Sequence, residues 1–149
     1  MTQPNPAGPG SPAAPAPVVL ERRVRAPIAR VWRAWVDPDR LNASFSPNPG
    51  IDTVADIDLR VGGAWSVRMG RYCVRGSYVD IAEPTRLVFT WRFDHELDRP
   101  STLVSVDLTA VDDDTTGLRL IHRGHPDPAD RDGTAEGWEL TLARLTATA

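Results

Sequence analysis

Lysine is absent from this 149-residue chain, and all seventeen of its basic side chains are arginine. Together with abundant Ala, Pro, Gly and Asp, this reflects the coding bias of a GC-rich bacterial genome and carries no mechanism. Cysteine occurs once, at Cys73, which excludes an intrachain disulfide and a thiolate metal cluster; such a lone cysteine is expected to be a small buried hydrophobe. No apolar run approaches the ~20 residues of a membrane-spanning helix. The N-terminus also lacks the basic start and apolar stretch of a secretory signal, so a cytoplasmic location away from membranes is expected. Basic charge is not in excess either. A formal charge of −3 and a pI near 5.5 offer little grip on a phosphate backbone, so nucleic acid is not an expected partner.

Histidine is scarce, and none of the three has metal-ligand spacing. His95 lies in a charged segment, while His122 and His125 are separated by only two residues across a strand end, without cysteine or carboxylate partners at helical or hairpin spacing. No metal and no cofactor are expected. A nucleophile elbow, a glycine-rich phosphate loop and a Ser/His/Asp signature are all missing; Gly62-Gly63 alone reads as a turn.

What is present is one domain's worth of patterned sequence behind a biased leader. Residues 1–17 are almost entirely Pro, Ala, Gly and small polar residues, which bury too little surface to offset ordering and predict a mobile tail. The domain is expected over 18–149. Val18 to Arg25 reads as a strand. A helix follows, with Pro27 at its first position and Ile28, Val31, Trp32 and Trp35 at the spacing of one face; the Asp37-Pro38 step stops it. Pro38 to Ala43 predicts a further short turn of helix, residues 44–50 a loop, and Ile51 to Leu59 a strand with Ile57 and Leu59 inward.

Alternation is clearest further on. Ala64 to Met69 places Trp65, Val67 and Met69 on one face, and Tyr72 to Ile81 continues with Gly76 marking a bend or bulge. Leu87, Phe89, Trp91 and Phe93 share a face of the most regular strand. After a charged loop at 94–101, Val104, Val106 and Leu108 point inward from Thr102 to Val111, and Leu118, Leu120 and His122 share one face of a last strand. Asp127, Asp130, Arg131 and Asp132 read as a solvated loop. The period then changes: Ala135, Trp138, Leu142 and Leu145 fall three or four apart, which predicts an amphipathic helix from Thr134 to Thr148 despite Gly133 and Gly137. Short links between strands and helices at both chain ends define an α+β fold, a curved antiparallel sheet of about six or seven strands with helices on one face.

Several segments in this order resemble the START-like (SRPBCC) superfamily. They are Arg25-Ala26-Pro27 with Val31-Trp32 and Trp35 to Leu41, the Asp58-Leu59-Arg60-Val61-Gly62-Gly63 turn, Glu83-Pro84 to Trp91, and Gly137-Trp138 to Leu145. Within it they are most similar to the branch named after the activator of heat-shock protein 90 ATPase. The resemblance implies a helix-grip (Bet v 1-like) fold, in which the bent sheet grips the long C-terminal helix around a hydrophobic cavity. It also implies a hydrophobic small-molecule ligand such as a lipid, a polyketide or an aromatic natural product. Some members protect an antibiotic producer from its own product, an enediyne being one example. After Leu41, where many relatives carry an aromatic pair, this chain reads Asn42-Ala43-Ser44-Phe45-Ser46, which implies a wider or more polar entrance.

Within that frame the expected ligand-binding set is Trp35, Phe45, Trp65, Phe89, Trp91, Phe93 and Trp138, joined by Val67, Met69, Tyr78, Val104, Val106, His122 and Leu142. Trp35 is placed near the cavity mouth and Trp32 in structural packing. Non-enzymatic binding or sequestration is the first functional expectation, by a monomer or weak homodimer. A cyclase or aromatase using His122 with Tyr78 or Asp80 is the enzymatic alternative, with His122 the one catalytic candidate. A co-chaperone that stimulates an Hsp-type ATPase is the third.

Overall fold

The computed structural model describes residues 14–45, 50, 52–96 and 98–148. The first thirteen residues of the expected tail, residues 46–49 of the expected loop, and Ile51 as a strand start lie outside the described residues.

Seven strands form one antiparallel sheet. β1 (Val18–Val24) leads into α1 (Ile28–Val36) and α2 (Pro38–Ser44). Then follow β2 (Thr53–Ile57), β3 (Ala64–Met69), β4 (Tyr72–Ala82), β5 (Arg86–Phe93), a 3-10 turn at Asp94–Glu96, β6 (Thr102–Asp112) and β7 (Thr115–Arg123). α3 (Pro128–Thr148) closes the chain. The strand order is β1-β7-β6-β5-β4-β3-β2. β1 and β2 are thus opposite edges, and α1 and α2 must carry the chain across the full width of the sheet.

Pro27 is the residue before the helix rather than its first residue. It precedes α1 in an extended conformation, and its carbonyl accepts the N–H groups of Arg30 and Val31. Asp37, extended as a residue before proline must be, ends α1 and then caps α2 by accepting the Asp39 N–H at 3.0 Å. Val31, Trp32, Ala34 and Trp35 are buried. Asn42 accepts the Ala55 N–H at 2.7 Å and so ties α2 to the edge strand β2.

Three further expectations need correction. Leu59 is 40% exposed rather than inward, because β2 ends at Ile57 and the turn at Asp58–Gly63 breaks the alternation. Gly76 is not the bulge; the register shift falls between Tyr78 and Asp80. Gly76 instead permits close approach of two backbones, since a Cβ there would lie 1.8 Å from the Thr90 carbonyl oxygen. Finally, α3 begins at Pro128, six residues before the expected start, so the supposed loop at 127–132 is mostly helix. Asp127 accepts the Asp130 N–H at 2.8 Å and Pro128 opens the helix, a start signal that the two later glycines obscured.

The core lies between the concave face of the sheet and the helices. Leu87, Val104, Val106, Leu118 and Leu120 from the strands meet Trp32 and Trp35 of α1 and Leu142 and Leu145 of α3. Cys73 is buried and unpaired. Among the described residues no helix is long and apolar enough to cross a membrane. Gly76→Ala should lower stability by about 3 kcal/mol, because backbone rather than a flexible side chain occupies the space of the added methyl. A urea titration checks this, and a change below about 0.5 kcal/mol would refute the close-approach explanation.

Candidate functional site

The concave face is not filled evenly. Where β5 runs out toward the 3-10 turn, a cavity of about 640 Å³ separates the sheet from the N-terminal half of α3. Its deep part is aromatic. Phe45 follows α2, Trp91 and Phe93 follow one another on the same face of β5, and Trp138 comes from α3. Trp91 and Trp138 have ring centroids 5.2 Å apart, Phe45 meets Trp138 edge-on at 5.7 Å, and Phe93 meets Trp91 edge-on at 5.7 Å. Such tilted and edge-on contacts suit the aromatic quadrupole and hold the rings in place.

The helix side of the cavity is small by composition. Ala129, Gly133, Gly137 and Thr141 recur every fourth residue and all line it, as expected for positions stacked on one helix face. A Cβ built on Gly133 or Gly137 would meet nothing within 4 Å. The side chains these positions lack are therefore part of the open space.

His122 sits at the bottom of the cavity, 1% exposed, with both ring nitrogens occupied. The indole N–H of Trp138 donates to its Nδ1 at 2.9 Å, which leaves the hydrogen of the neutral ring on Nε2. Nε2 lies 2.6 Å from the Thr102 hydroxyl, which in turn donates to the Trp91 carbonyl at 3.1 Å. Each donor in this chain has one acceptor, so the tautomer is fixed by its neighbours. Burial, with His125 alongside, lowers the His122 pKa to about 3. The ring is neutral at pH 7, and its one lone pair is held by Trp138.

His125 stands beside it, ring centroids 4.6 Å apart. Gly124, at φ +101°, makes the left-handed turn that brings the chain back beneath the end of β7. Around the rim, Arg99 bridges Asp130 at 3.0 Å and Glu96 at 3.4 Å. His95 packs on Phe93 and on Tyr72, which is itself 43% exposed. The site thus grades from an aromatic floor to a charged edge.

Of the expected ligand-binding residues, the cavity gathers Phe45, Met69, Trp91, Phe93, His122 and Trp138. Trp35, Trp65, Tyr78 and Phe89 instead border a separate crevice of about 20 Å³, which is filled core in practice. Val67, Val104, Val106 and Leu142 are buried and line neither space. Trp35 is not at the mouth: it is 3% exposed and packs behind Trp138 at 5.9 Å. Tyr78, whose hydroxyl burial pushes upward in pKa, belongs to that second crevice, and Asp80 faces Arg86 at 3.4 Å. The structure does not bring either of them to His122. Arg75 pairs with Asp94 through two contacts of 2.6 and 2.8 Å.

The residues that strand parity missed are His125, Thr102, Arg99 and the small-residue side of α3. The four-residue recurrence of Ala129, Gly133, Gly137 and Thr141 was the available signal, and a Gly between two nearby histidines was another.

A curved antiparallel sheet closed over a long C-terminal helix defines a helix-grip protein of the START-like class. Residues 25–149 match the family described as activator of Hsp90 ATPase homolog 1-like protein, and the chain belongs to that family. Among solved structures it is similar to protein CV1439 from Chromobacterium violaceum, 28% identical over 89% of this chain and 96% of that one, with a TM-score of 0.78. It is also similar to CalU16 from Micromonospora echinospora, 27% identical over 87% of this chain and 73% of that one, with a TM-score of 0.68. PFC0360w, an HSP90 activator from Plasmodium falciparum, shares the fold at 21% identity over 89% of this chain and 95% of that one, with a TM-score of 0.76. No curated protein matches the chain.

The His122 geometry makes stability acid-sensitive. Folding lowers this pKa from 6.5 to about 3, so below the unfolded value the unfolded chain binds more protons, and stability falls as the pH drops. From pH 7 to pH 5 the loss from this ring is about 2 kcal/mol. His122→Gln should show a pH dependence smaller by that amount in urea titrations at the two pH values. Equal losses in both proteins would reject the assignment.

Proposed function

We propose that this chain binds a hydrophobic aromatic small molecule, with polyketide-like natural products as the ligand class, and acts as a cytoplasmic carrier or sequestering protein, monomeric or weakly dimeric. The observation that carries the reading is the 640 Å³ cavity, a volume usual for small-molecule sites, held open by glycines on its helix side. Each glycine inside a helix costs about 1 kcal/mol relative to alanine. Two of them, four residues apart and both facing the same space, fit a site whose volume matters more than helix stability. Covering about 400 Å² of apolar ligand would supply roughly 10 kcal/mol gross. Association costs of about 4 to 15 kcal/mol then make polar anchors decisive for affinity.

The sharper form of the proposal is self-protection against a toxic natural product such as an enediyne. A solved structure described as a protein in the dynemicin biosynthetic locus, 22% identical and of which this chain covers 46%, motivates it. The enzymatic alternative has less support, because His122 would have to surrender the Trp138 hydrogen bond to act as a base.

Titration with a library of aromatic compounds, followed by tryptophan fluorescence, tests the binding reading. Trp91 and Trp138 should report ligand entry, and Gly137→Leu should weaken binding at least about tenfold while its thermal midpoint holds or rises, since leucine favours the helix. Unchanged affinity in that variant, or no response across the library, would count against the proposal. For the protective form, cells carrying the gene should survive an enediyne challenge better than cells without it.

A further inference from the structure

We infer that His125 is the polar anchor of the cavity and that it selects a ligand with an aromatic hydroxyl. The inference rests on the binding reading above and names the chemistry of that ligand. His125 is 6% exposed, and neither Nδ1 nor Nε2 has a hydrogen-bond partner. A buried polar group without a partner costs about 1 to 3 kcal/mol, so an unpartnered imidazole on a cavity wall needs a reason. His122, its nearest ring, cannot satisfy it, because both His122 nitrogens are already committed to Trp138 and Thr102. The nearby charged groups make their hydrogen bonds elsewhere and none to His125. Asp130 accepts from Arg99, and Arg131 donates to the carbonyls of Ala16 and Pro17 and to Asp132.

The protein itself supplies no partner, and a ligand in the cavity can. A neutral imidazole presents one N–H and one lone pair. Both nitrogens are covered in the structure, and a hydroxyl, which both donates and accepts, satisfies either one that a turn of the ring brings to the cavity. A carboxylate can only accept, and it would be desolvated against Trp91, Phe93 and Trp138. Those rings favour a flat aromatic body behind the hydroxyl. Burial also lowers the His125 pKa, which keeps the ring neutral at pH 7 and both functions available.

The test compares three probes, 2-naphthol, naphthalene and 2-naphthoate, by calorimetric titration of the full chain, with histidine ring nitrogen shifts recorded by NMR. The wild-type protein should bind 2-naphthol about tenfold more tightly than naphthalene. The His125 ring resonances should move on binding while those of His122 stay in place. In His125→Phe the ratio of the two affinities should fall to about one, and His125→Gln, which keeps a donor and an acceptor, should restore part of it. Equal wild-type affinities for naphthol and naphthalene, or a preference that survives His125→Phe, overturns the anchor and leaves the cavity reading intact. Tightest binding of 2-naphthoate overturns it in favour of an anion site. Binding of none of the probes overturns both readings. If the Phe variant does not fold, the wild-type ring shifts decide the matter.

Discussion

One hydrogen bond between an indole and an imidazole sets the spacing of the two layers. Trp138 on α3 reaches His122 on β7, and His122 passes the connection through Thr102 on β6 to the backbone of β5 at Trp91. Four side-chain or main-chain groups thus bind one helix to three adjacent strands. Beyond Thr141, the last cavity-lining residue of α3, Leu142 and Leu145 are fully buried and the layers close on each other. On the N-terminal side of the clamp, Gly137, Gly133 and Ala129 leave them apart. A helix is rigid over these distances, so fixing it at Trp138 allows one half to pack tightly and the other to stand off.

The division explains which parts of the molecule were legible in the sequence. Period-two alternation identified the sheet because each strand has one buried face, and it placed Leu87, Phe89, Trp91 and Phe93 together correctly. It could not tell a residue facing solid core from one facing space, because both lie on the same side of a strand. Phe89 and Trp91 are two residues apart, yet the first belongs to the packed region and the second to the cavity. The difference comes from the opposite layer: Trp35 of α1 and Leu41 of α2 stand at the level of Phe89, whereas α3 presents glycine to the space beside Trp91. The information was present in the sequence, but in a helix whose glycines read as weakness rather than as room. Leu59 failed for a simpler reason: alternation stops where a strand stops, and β2 is only five residues long.

His122 and His125 show why residue type alone does not assign a role. They are separated by Ile-free, turn-forming sequence of only Arg123 and Gly124, and their rings touch. One has every hydrogen-bonding site filled and serves the fold. The other has none filled and is free to serve a ligand. Burial lowers the pKa of both, so the direction of that shift does not separate them; the hydrogen-bond inventory does.

The described part of the segment after Leu41, Asn42 to Phe45, is held from both sides. Asn42 is tied to β2, the Ala43 carbonyl accepts from Arg144 of α3 at 3.0 Å, and Phe45 is 5% exposed against Trp91 and Trp138. These contacts make the segment a brace that seats an aromatic ring in the cavity floor. Charged chemistry lies at the rim, around Arg99, Glu96 and Asp130. Floor and rim therefore come from different parts of the chain, and neither includes the leucine-rich half of α3. Substitutions that reshape the rim leave the clamp and the core contacts in place, which is the physical condition for a single scaffold to accept different ligands without losing its fold.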